Sequence, residues 1–79
     1  MASLPSRAEK RRLAALLRQL REDAGLNQVQ VARKLGRPQS FVSRYEAGER
    51  RLDLVELRQV CGALGVPLTA LVRRFEDGP

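Results

Sequence analysis

Arginine is the residue type in this sequence with the most distinctive chemistry. The 79-residue chain carries 15 Lys and Arg against 9 Asp and Glu, a formal net charge of +6, and 13 of the 15 cations are Arg. The planar guanidinium binds phosphate and the guanine edge through two parallel hydrogen bonds, which Lys cannot do. This composition favours a polyanionic partner, either nucleic acid or an anionic membrane surface, although a basic composition also keeps a small domain in solution.

The residue types that catalysis and metal binding usually need are scarce. The chain has no His and a single Cys, so neither an intrachain disulfide nor a zinc site can be assembled, and the usual general base is missing. We therefore expect no enzyme activity, no cofactor and no metal. No apolar run approaches the ~18 residues of a membrane span, and the N-terminus lacks a signal-peptide apolar region, which predicts a cytoplasmic protein.

The elements that carry these side chains are predicted to be helices, because the apolar residues follow helical spacing throughout. A chain of 79 residues has room for one core, and an apolar fraction of 43% is enough to form it. The sequence thus predicts a single all-α domain over 1–79 with five helices. Its core is expected over residues 6–75, with short frayed tails at 1–5 and 76–79.

Capping residues mark where the first two helices begin. Ser6 with Glu9 predicts a capping box at the start of the first helix, and Asn27 with Gln30 predicts another at the start of the second. Gly36 ends the second helix after two turns. The buried stripe of the first helix is expected to consist of Leu13, Leu16, Leu17, Leu20 and Ala24.

The remaining three helices are marked in the same way. The third opens at Pro38, directly after the glycine turn, and runs to Gly48, so the second and third form a helix-turn-helix pair. Asp53 and Glu56 predict a capping box for the fourth helix, and Pro67 opens the fifth. The expected buried stripe of the fourth helix is Leu54, Leu57, Val60, Cys61 and Leu64. One side of the fifth helix carries Leu68, Leu71, Val72 and Phe75, of which Leu68 and Leu71 are expected to point inward.

Residues 28–47, QVQVARKLGRPQSFVSRYEA, resemble the helix-turn-helix of the lambda-repressor and Cro-like (XRE-type) family of bacterial and phage transcriptional regulators. The resemblance extends over residues 13–72, nearly the whole domain. Gly36 can take the positive φ that the turn demands. Arg37 and Pro38 depart from the family's pattern, in which an apolar residue and a Ser or Thr cap are usual. The residues that carry the resemblance are Gln28, Ala32, Gly36, Val42, Glu46, Ala47 and Gly48.

The resemblance implies a lambda-repressor-like fold whose third helix lies in the major groove with its N-terminal side chains at the base edges. Gln can pair with adenine through two hydrogen bonds, and Arg with guanine. The alternative is that these side chains form an ordinary solvated surface. The implied base contacts are Gln39, Ser40, Ser43 and Arg44. The implied phosphate contacts are Gln28, Arg37, Arg50 and Arg51.

Three further features concern how the third helix is held and what lies around it. The resemblance implies a structural ion pair between Arg21 and Glu46, which would tie the first helix to the end of the third. Phe41 can either pack near the helix junction or touch a thymine methyl group. The basic start of the first helix fits a DNA-binding arm and a solvated face equally well.

The implied function is sequence-specific binding of double-stranded DNA by a homodimer that regulates transcription, most simply as a repressor, at a palindromic operator. Val72 and Phe75 are expected at the dimer interface, because the apolar face of the fifth helix is longer than one small core needs. An alternative is an antitoxin-like module that neutralises a partner toxin and also binds DNA. A membrane-surface role is less favoured, since the basic residues are not confined to one amphipathic helix.

Overall fold

The computed structural model describes residues 6–78 and shows five α-helices, which confirms the predicted all-α fold. Within residues 6–78 there is no strand. Helices α2 and α3 pack on each other, α1 packs on α3 and α5, and α4 packs on α2 and α5. The helices are α1 (Arg7–Asp23), α2 (Gln28–Leu35), α3 (Gln39–Glu46), α4 (Leu54–Leu64) and α5 (Leu68–Asp77).

The helix starts follow the capping residues. In α2, the Asn27 side chain accepts from the backbone N–H of Gln30 at 2.8 Å, and the Gln30 side chain accepts from the backbone N–H of Asn27 at 2.8 Å. Asp53 and Glu56 form the same reciprocal pair at the start of α4. At α1 the structure gives only half of the predicted box, in which the backbone N–H of residue 9 donates to the Ser6 hydroxyl at 3.1 Å.

The turn between α2 and α3 depends on Gly36, which has a φ of 65°. This left-handed conformation disfavours residues that carry a Cβ. It lets the backbone N–H of Arg37 reach the carbonyl of Ala32 at 3.0 Å, while the N–H of Gly36 reaches that of Arg33 at 3.2 Å. These two bonds are the Schellman pattern and close the end of α2. Pro38, predicted to open α3, is instead the extended N-cap residue before Gln39, and it makes no side-chain cap hydrogen bond because its ring carries no acceptor.

The core lies where the helices meet. Val31, Val42, Val60 and Cys61 are fully buried, and so is most of Leu17. The predicted third-helix residues Val42 and Tyr45 also point inward. The other buried members of the cluster are Leu20, Ala32, Phe41, Leu64 and Leu71.

The assignment of two residues to buried stripes is wrong. Ala24 is exposed because α1 ends at Asp23 and the chain turns away there, while Ala14 is buried instead. Leu54 is 66% exposed, as is its neighbour Val55. Leu54 lies in the first turn of α4, roughly 70° around the helix from the centre of the buried stripe, so it falls at the stripe's edge.

Helix α5 is longer than predicted, since it reaches Asp77 where a frayed tail from residue 76 was expected. The expected tail at residues 1–5 and the last residue lie outside the described part of the chain. Leu71 points into the core and Val72 is 48% exposed. No single helix in residues 6–78 is long and apolar enough to cross a membrane; α4 and α5 pass that test only together, with a bend of 104° between them.

Candidate nucleic-acid interface

The end of α3 is anchored to α1 by a nearly buried ion pair. Arg21 Nε donates to Glu46 Oε2 at 2.7 Å, and its Nη2 donates to Oε1 at 3.0 Å. The side chains of Arg21 and Glu46 are only 11% and 4% exposed. A third bond, from Arg21 Nη1 to the carbonyl of Leu26 at 2.9 Å, ties the same guanidinium to the segment before α2. The hydrogen bonds to Glu46 raise the pKa of Arg21 above its ordinary value.

The same carboxylate begins a chain of hydrogen bonds that leads to the first residue of α3. Gln28 Nε2 donates to Glu46 Oε1 at 3.0 Å. Gln39 Nε2 in turn donates to Gln28 Oε1 at 3.4 Å, a long bond on the exposed surface. Arg21, Glu46, Gln28 and Gln39 therefore form one network, which we call the brace. The brace orients the side-chain amide of Gln39 through its Nε2.

Helix α3 presents a polar face to solvent. Gln39, Ser40 and Arg44 are exposed, and Ser43 is partly buried. The Ser43 hydroxyl donates to the carbonyl of Ser40 at 3.2 Å, so its lone pairs remain available to a donor. All four residues implied as base contacts thus lie on the side of α3 away from its buried residues Phe41, Val42 and Tyr45.

Phe41 packs at the helix junction, the first of the two positions considered for it. Its side chain is buried and meets the ring of Tyr45 edge to face, with centroids 5.5 Å apart and planes at 79°. The guanidinium carbons of Arg37 and Arg50 lie 4.5 Å and 4.8 Å from the centroid of the Phe41 ring. Phe41 thus brings together two cations from different loops, through attraction between a cation and the face of an aromatic ring.

Glu56 joins the same two arginines. Arg50 Nη1 and Nη2 donate to Glu56 Oε1 and Oε2 at 3.1 Å and 2.9 Å, and Arg37 Nη2 lies 3.6 Å from Oε2. The hydrogen bonds from Arg50 lower the pKa of Glu56. Sequence reasoning assigned Glu56 only to the capping box and missed this role. We call Arg37, Arg50, Glu56 and Phe41 the arginine clamp.

The four phosphate candidates therefore differ in their surroundings. Gln28 belongs to the brace, and Arg37 and Arg50 belong to the clamp. Arg51 is exposed in the loop before α4, where it lines a cleft of about 230 Å³ that Lys10 also lines. Arg51 is thus the phosphate candidate for which residues 6–78 show no carboxylate partner.

Two other groups bear on what this surface can do chemically. Cys61 is fully buried, and burial raises the pKa of its thiol, which disfavours the reactive thiolate. Arg12, from the basic start of α1, lies 4.4 Å from the centroid of the Phe75 ring and donates to the Phe75 carbonyl. Within residues 6–78, no group of three His, Cys, Asp or Glu side chains is placed to hold a metal ion.

Comparison with known proteins identifies the family. The model of a helix-turn-helix domain family matches residues 12–75. An XRE-family-like protein from Pseudomonas syringae pv. tomato is 42% identical, with a TM-score of 0.83, over 91% of this chain and 89% of its own. The restriction-modification controller protein C.AhdI from Aeromonas hydrophila is 31% identical, with a TM-score of 0.75, over 81% of this chain and 97% of its own.

A more distant likeness concerns the fold alone. The restriction-modification controller protein C.Esp1396I, solved as a tetramer with its natural 35 base-pair operator, is 18% identical with a TM-score of 0.80. It covers 92% of this chain and 95% of its own. Among curated proteins, no significant match is found. The family match, the two closer structures and the helix-turn-helix geometry agree: the chain belongs to the XRE-type helix-turn-helix family of DNA-binding transcription regulators and is not an enzyme.

Proposed function

We propose that the protein binds specific sites in double-stranded DNA as a homodimer and represses transcription, with α3 as the recognition helix in the major groove. The observation that carries this proposal is the brace. It links the first residue of α3, Gln39, to Gln28 through one hydrogen bond of 3.4 Å, and it anchors the end of α3 through Glu46. A helix held at both ends can present side chains to base edges in one defined geometry, which direct readout needs.

The base-reading residues in this proposal are Gln39, Ser40, Ser43 and Arg44. The exposed amide of Gln39, steadied by Gln28, suits the N6 and N7 edge of adenine. The exposed guanidinium of Arg44 suits the O6 and N7 edge of guanine. The serine hydroxyls can both donate and accept, so they distinguish bases less sharply.

The phosphate contacts flank that face. Gln28 stands at the N-terminus of α2, where free backbone N–H groups favour an anion. Arg37 precedes α3, and Arg50 and Arg51 follow it, so cations border the recognition helix at both ends. Contacts of this kind fix the position of a protein on the duplex and add affinity without selecting sequence.

The dimer is proposed to form through α5. Val72 is 48% exposed, and Phe75 is partly buried beneath Arg12. The start of α4 offers a competing apolar surface, because Leu54 and Val55 are both 66% exposed. A two-fold dimer reads a palindrome whose half-sites lie one helical turn apart, about 34 Å. Repression requires only that such a dimer occupy a site overlapping a promoter.

Selection of bound duplexes from a random DNA pool tests the proposal directly. We expect enrichment of a two-fold symmetric site with half-sites separated by about 10 base pairs. The enriched site, placed across a promoter, should lower expression of a reporter when the protein is supplied. Recovery of no preferred duplex, or binding to anionic lipid vesicles in preference to duplex DNA, would contradict the proposal.

A further inference from the structure

The arginine clamp places one negative charge between two positive ones beside the proposed DNA-binding surface. Glu56 binds Arg50 through both carboxylate oxygens and lies 3.6 Å from Arg37. Both guanidiniums also lie over the Phe41 ring, so they are held together from two sides. The clamp as a whole therefore carries a net charge of +1 where its two arginines alone would carry +2.

The geometry of Arg50 makes this pairing relevant to phosphate binding. Its two terminal nitrogens form the fork that fits a carboxylate or a phosphate, and Glu56 occupies both. Arg50 Nη1 also donates to the carbonyl of Arg51. A phosphate that approaches this fork meets donors that already have partners. This end-on fork of Arg50 can therefore bind a phosphate only after Glu56 leaves, whereas its Nε edge has no carboxylate partner within residues 6–78.

The negative charge of Glu56 is not needed for the hydrogen bond by which this residue caps α4. Glu56 Oε1 accepts from the backbone N–H of Asp53 at 3.0 Å, which caps α4. At the corresponding position of α2, the neutral side chain of Gln30 accepts from the backbone N–H of Asn27 at 2.8 Å. The chain itself thus shows that an amide oxygen completes this capping box. The negative charge at residue 56 therefore acts on the two arginines and on the N-terminus of α4.

We propose that Glu56 competes with DNA phosphate for Arg50 and Arg37 and thereby lowers the affinity of the protein for DNA of any sequence. This inference rests on the proposed function, because it assumes that the arginines face the duplex backbone. Since phosphates are the same in every duplex, the competition sets overall affinity and salt dependence. It leaves the choice among sequences to the outward residues of α3.

The test is a salt titration of binding to a random-sequence duplex by Glu56→Gln and by Glu49→Gln. Both variants remove one negative charge, but Glu49 is exposed and pairs with no cation among the described residues. We expect Glu56→Gln to bind several-fold more tightly than Glu49→Gln. Its plot of log affinity against log salt should be steeper by about one unit for each arginine released.

A double variant assigns the gain to the clamp. In an Arg50→Ala background, Glu56→Gln should recover only the smaller part of the gain that Arg37 can supply. Equal affinity and slope for Glu56→Gln and Glu49→Gln, or a gain that persists in full without Arg50, would overturn the inference while the proposed function stands. Failure of the unaltered protein and of Glu56→Gln to bind any duplex would overturn both. Unfolding curves of both variants confirm that each is folded.

Discussion

Arg21 and Glu46 are 25 positions apart in the chain and share two hydrogen bonds of 2.7 Å and 3.0 Å in a nearly solvent-free setting. The pair links the end of α1 to the end of α3. Glu46 also receives Gln28, so one carboxylate serves three helices. The position of α3 therefore depends on a charge that has almost no access to water.

Arg21→Ala should destabilise the protein by about 3–5 kcal/mol, because it leaves the Glu46 carboxylate buried without its cation. Arg18→Ala is the matched control. Arg18 pairs with Glu22 on the surface of the same helix, with side chains 64% and 47% exposed, and its loss should cost less than about 0.5 kcal/mol. Urea unfolding of the two variants measures the difference. Equal losses would show that the buried pair has no special weight.

Gln28→Ala should weaken discrimination at the base read by Gln39, although Gln28 is not proposed to touch a base. The reason is that Gln28 holds the amide of Gln39 at 3.4 Å. A double-mutant cycle with Gln39→Ala measures the coupling between them, which should be about 0.5 kcal/mol or more for residues in one network. Strictly additive effects on discrimination would show that Gln39 needs no brace.

Arg44→Ala should narrow the difference in affinity between the selected site and random DNA. Losing a two-pronged base contact costs about 1–3 kcal/mol on the matching site alone. Arg51→Ala should weaken binding to both DNAs alike and reduce the salt slope by about one unit. Salt titrations of both variants on both DNAs measure the affinities and the salt slopes. The opposite pattern, with Arg51 controlling the ratio, would mean that α3 does not lie in the groove as proposed. Arg50→Ala should resemble Arg51→Ala with a smaller effect, because Glu56 already holds Arg50.

Val72→Asp should shift the protein toward monomer, because it places a charge on the half-exposed apolar surface of α5. Burial of one valine contributes about 1.5–3 kcal/mol, so the dimer dissociation constant should rise by tenfold or more. Val55→Asp is the comparison, since it alters the competing surface at the start of α4. Sedimentation velocity over a range of concentrations distinguishes them. Dissociation by Val55→Asp alone would move the interface to α4.

Acid should release the arginine clamp. The pKa of Glu56 is lowered in the folded protein, chiefly by hydrogen bonds from Arg50, with Asp53 and Arg37 adding to the effect. A carboxyl with a depressed folded-state pKa stabilises the fold above its unfolded pKa of about 4.3, and that stabilisation is lost as the pH falls through the folded value. The free energy of unfolding should therefore fall less steeply with acid in Glu56→Gln than in the unaltered protein. Urea unfolding between pH 6 and pH 3 measures it, and parallel curves would contradict the pairing.

Local sequence signals predicted the helix boundaries well because caps and stops act within a few residues. The capping boxes of α2 and α4 and the left-handed glycine after α2 were confirmed. Spacing alone failed for Leu54 and Ala24, since a periodic pattern does not indicate where neighbouring helices cease to cover a stripe. Residues at the ends of helices are therefore the ones for which such a pattern misleads.

The surroundings of the site could be predicted only in part. The resemblance to known regulators predicted the ion pair between Arg21 and Glu46, because that pairing belongs to a shared fold. It did not supply the clamp, since a contact between Glu56 and Arg37 joins a helix to a distant turn and depends on tertiary packing. Because its place in the capping box already explained Glu56, sequence reasoning did not look for a second role. The placement of Phe41 beneath two guanidiniums also depends on tertiary packing, so the sequence did not indicate it.

The brace divides the outward face of α3 into one residue that is bonded to the scaffold and others that are not. Gln39 is linked through Gln28 to the nearly buried carboxylate of Glu46, so a substitution there removes one hydrogen bond of the brace. Ser40 and Arg44 are outside the brace, and replacing them leaves the scaffold untouched. If α3 reads DNA as proposed, substitutions at residues 40 and 44 should change the target site without altering the brace. The residue at position 39 should change only together with its partner at position 28.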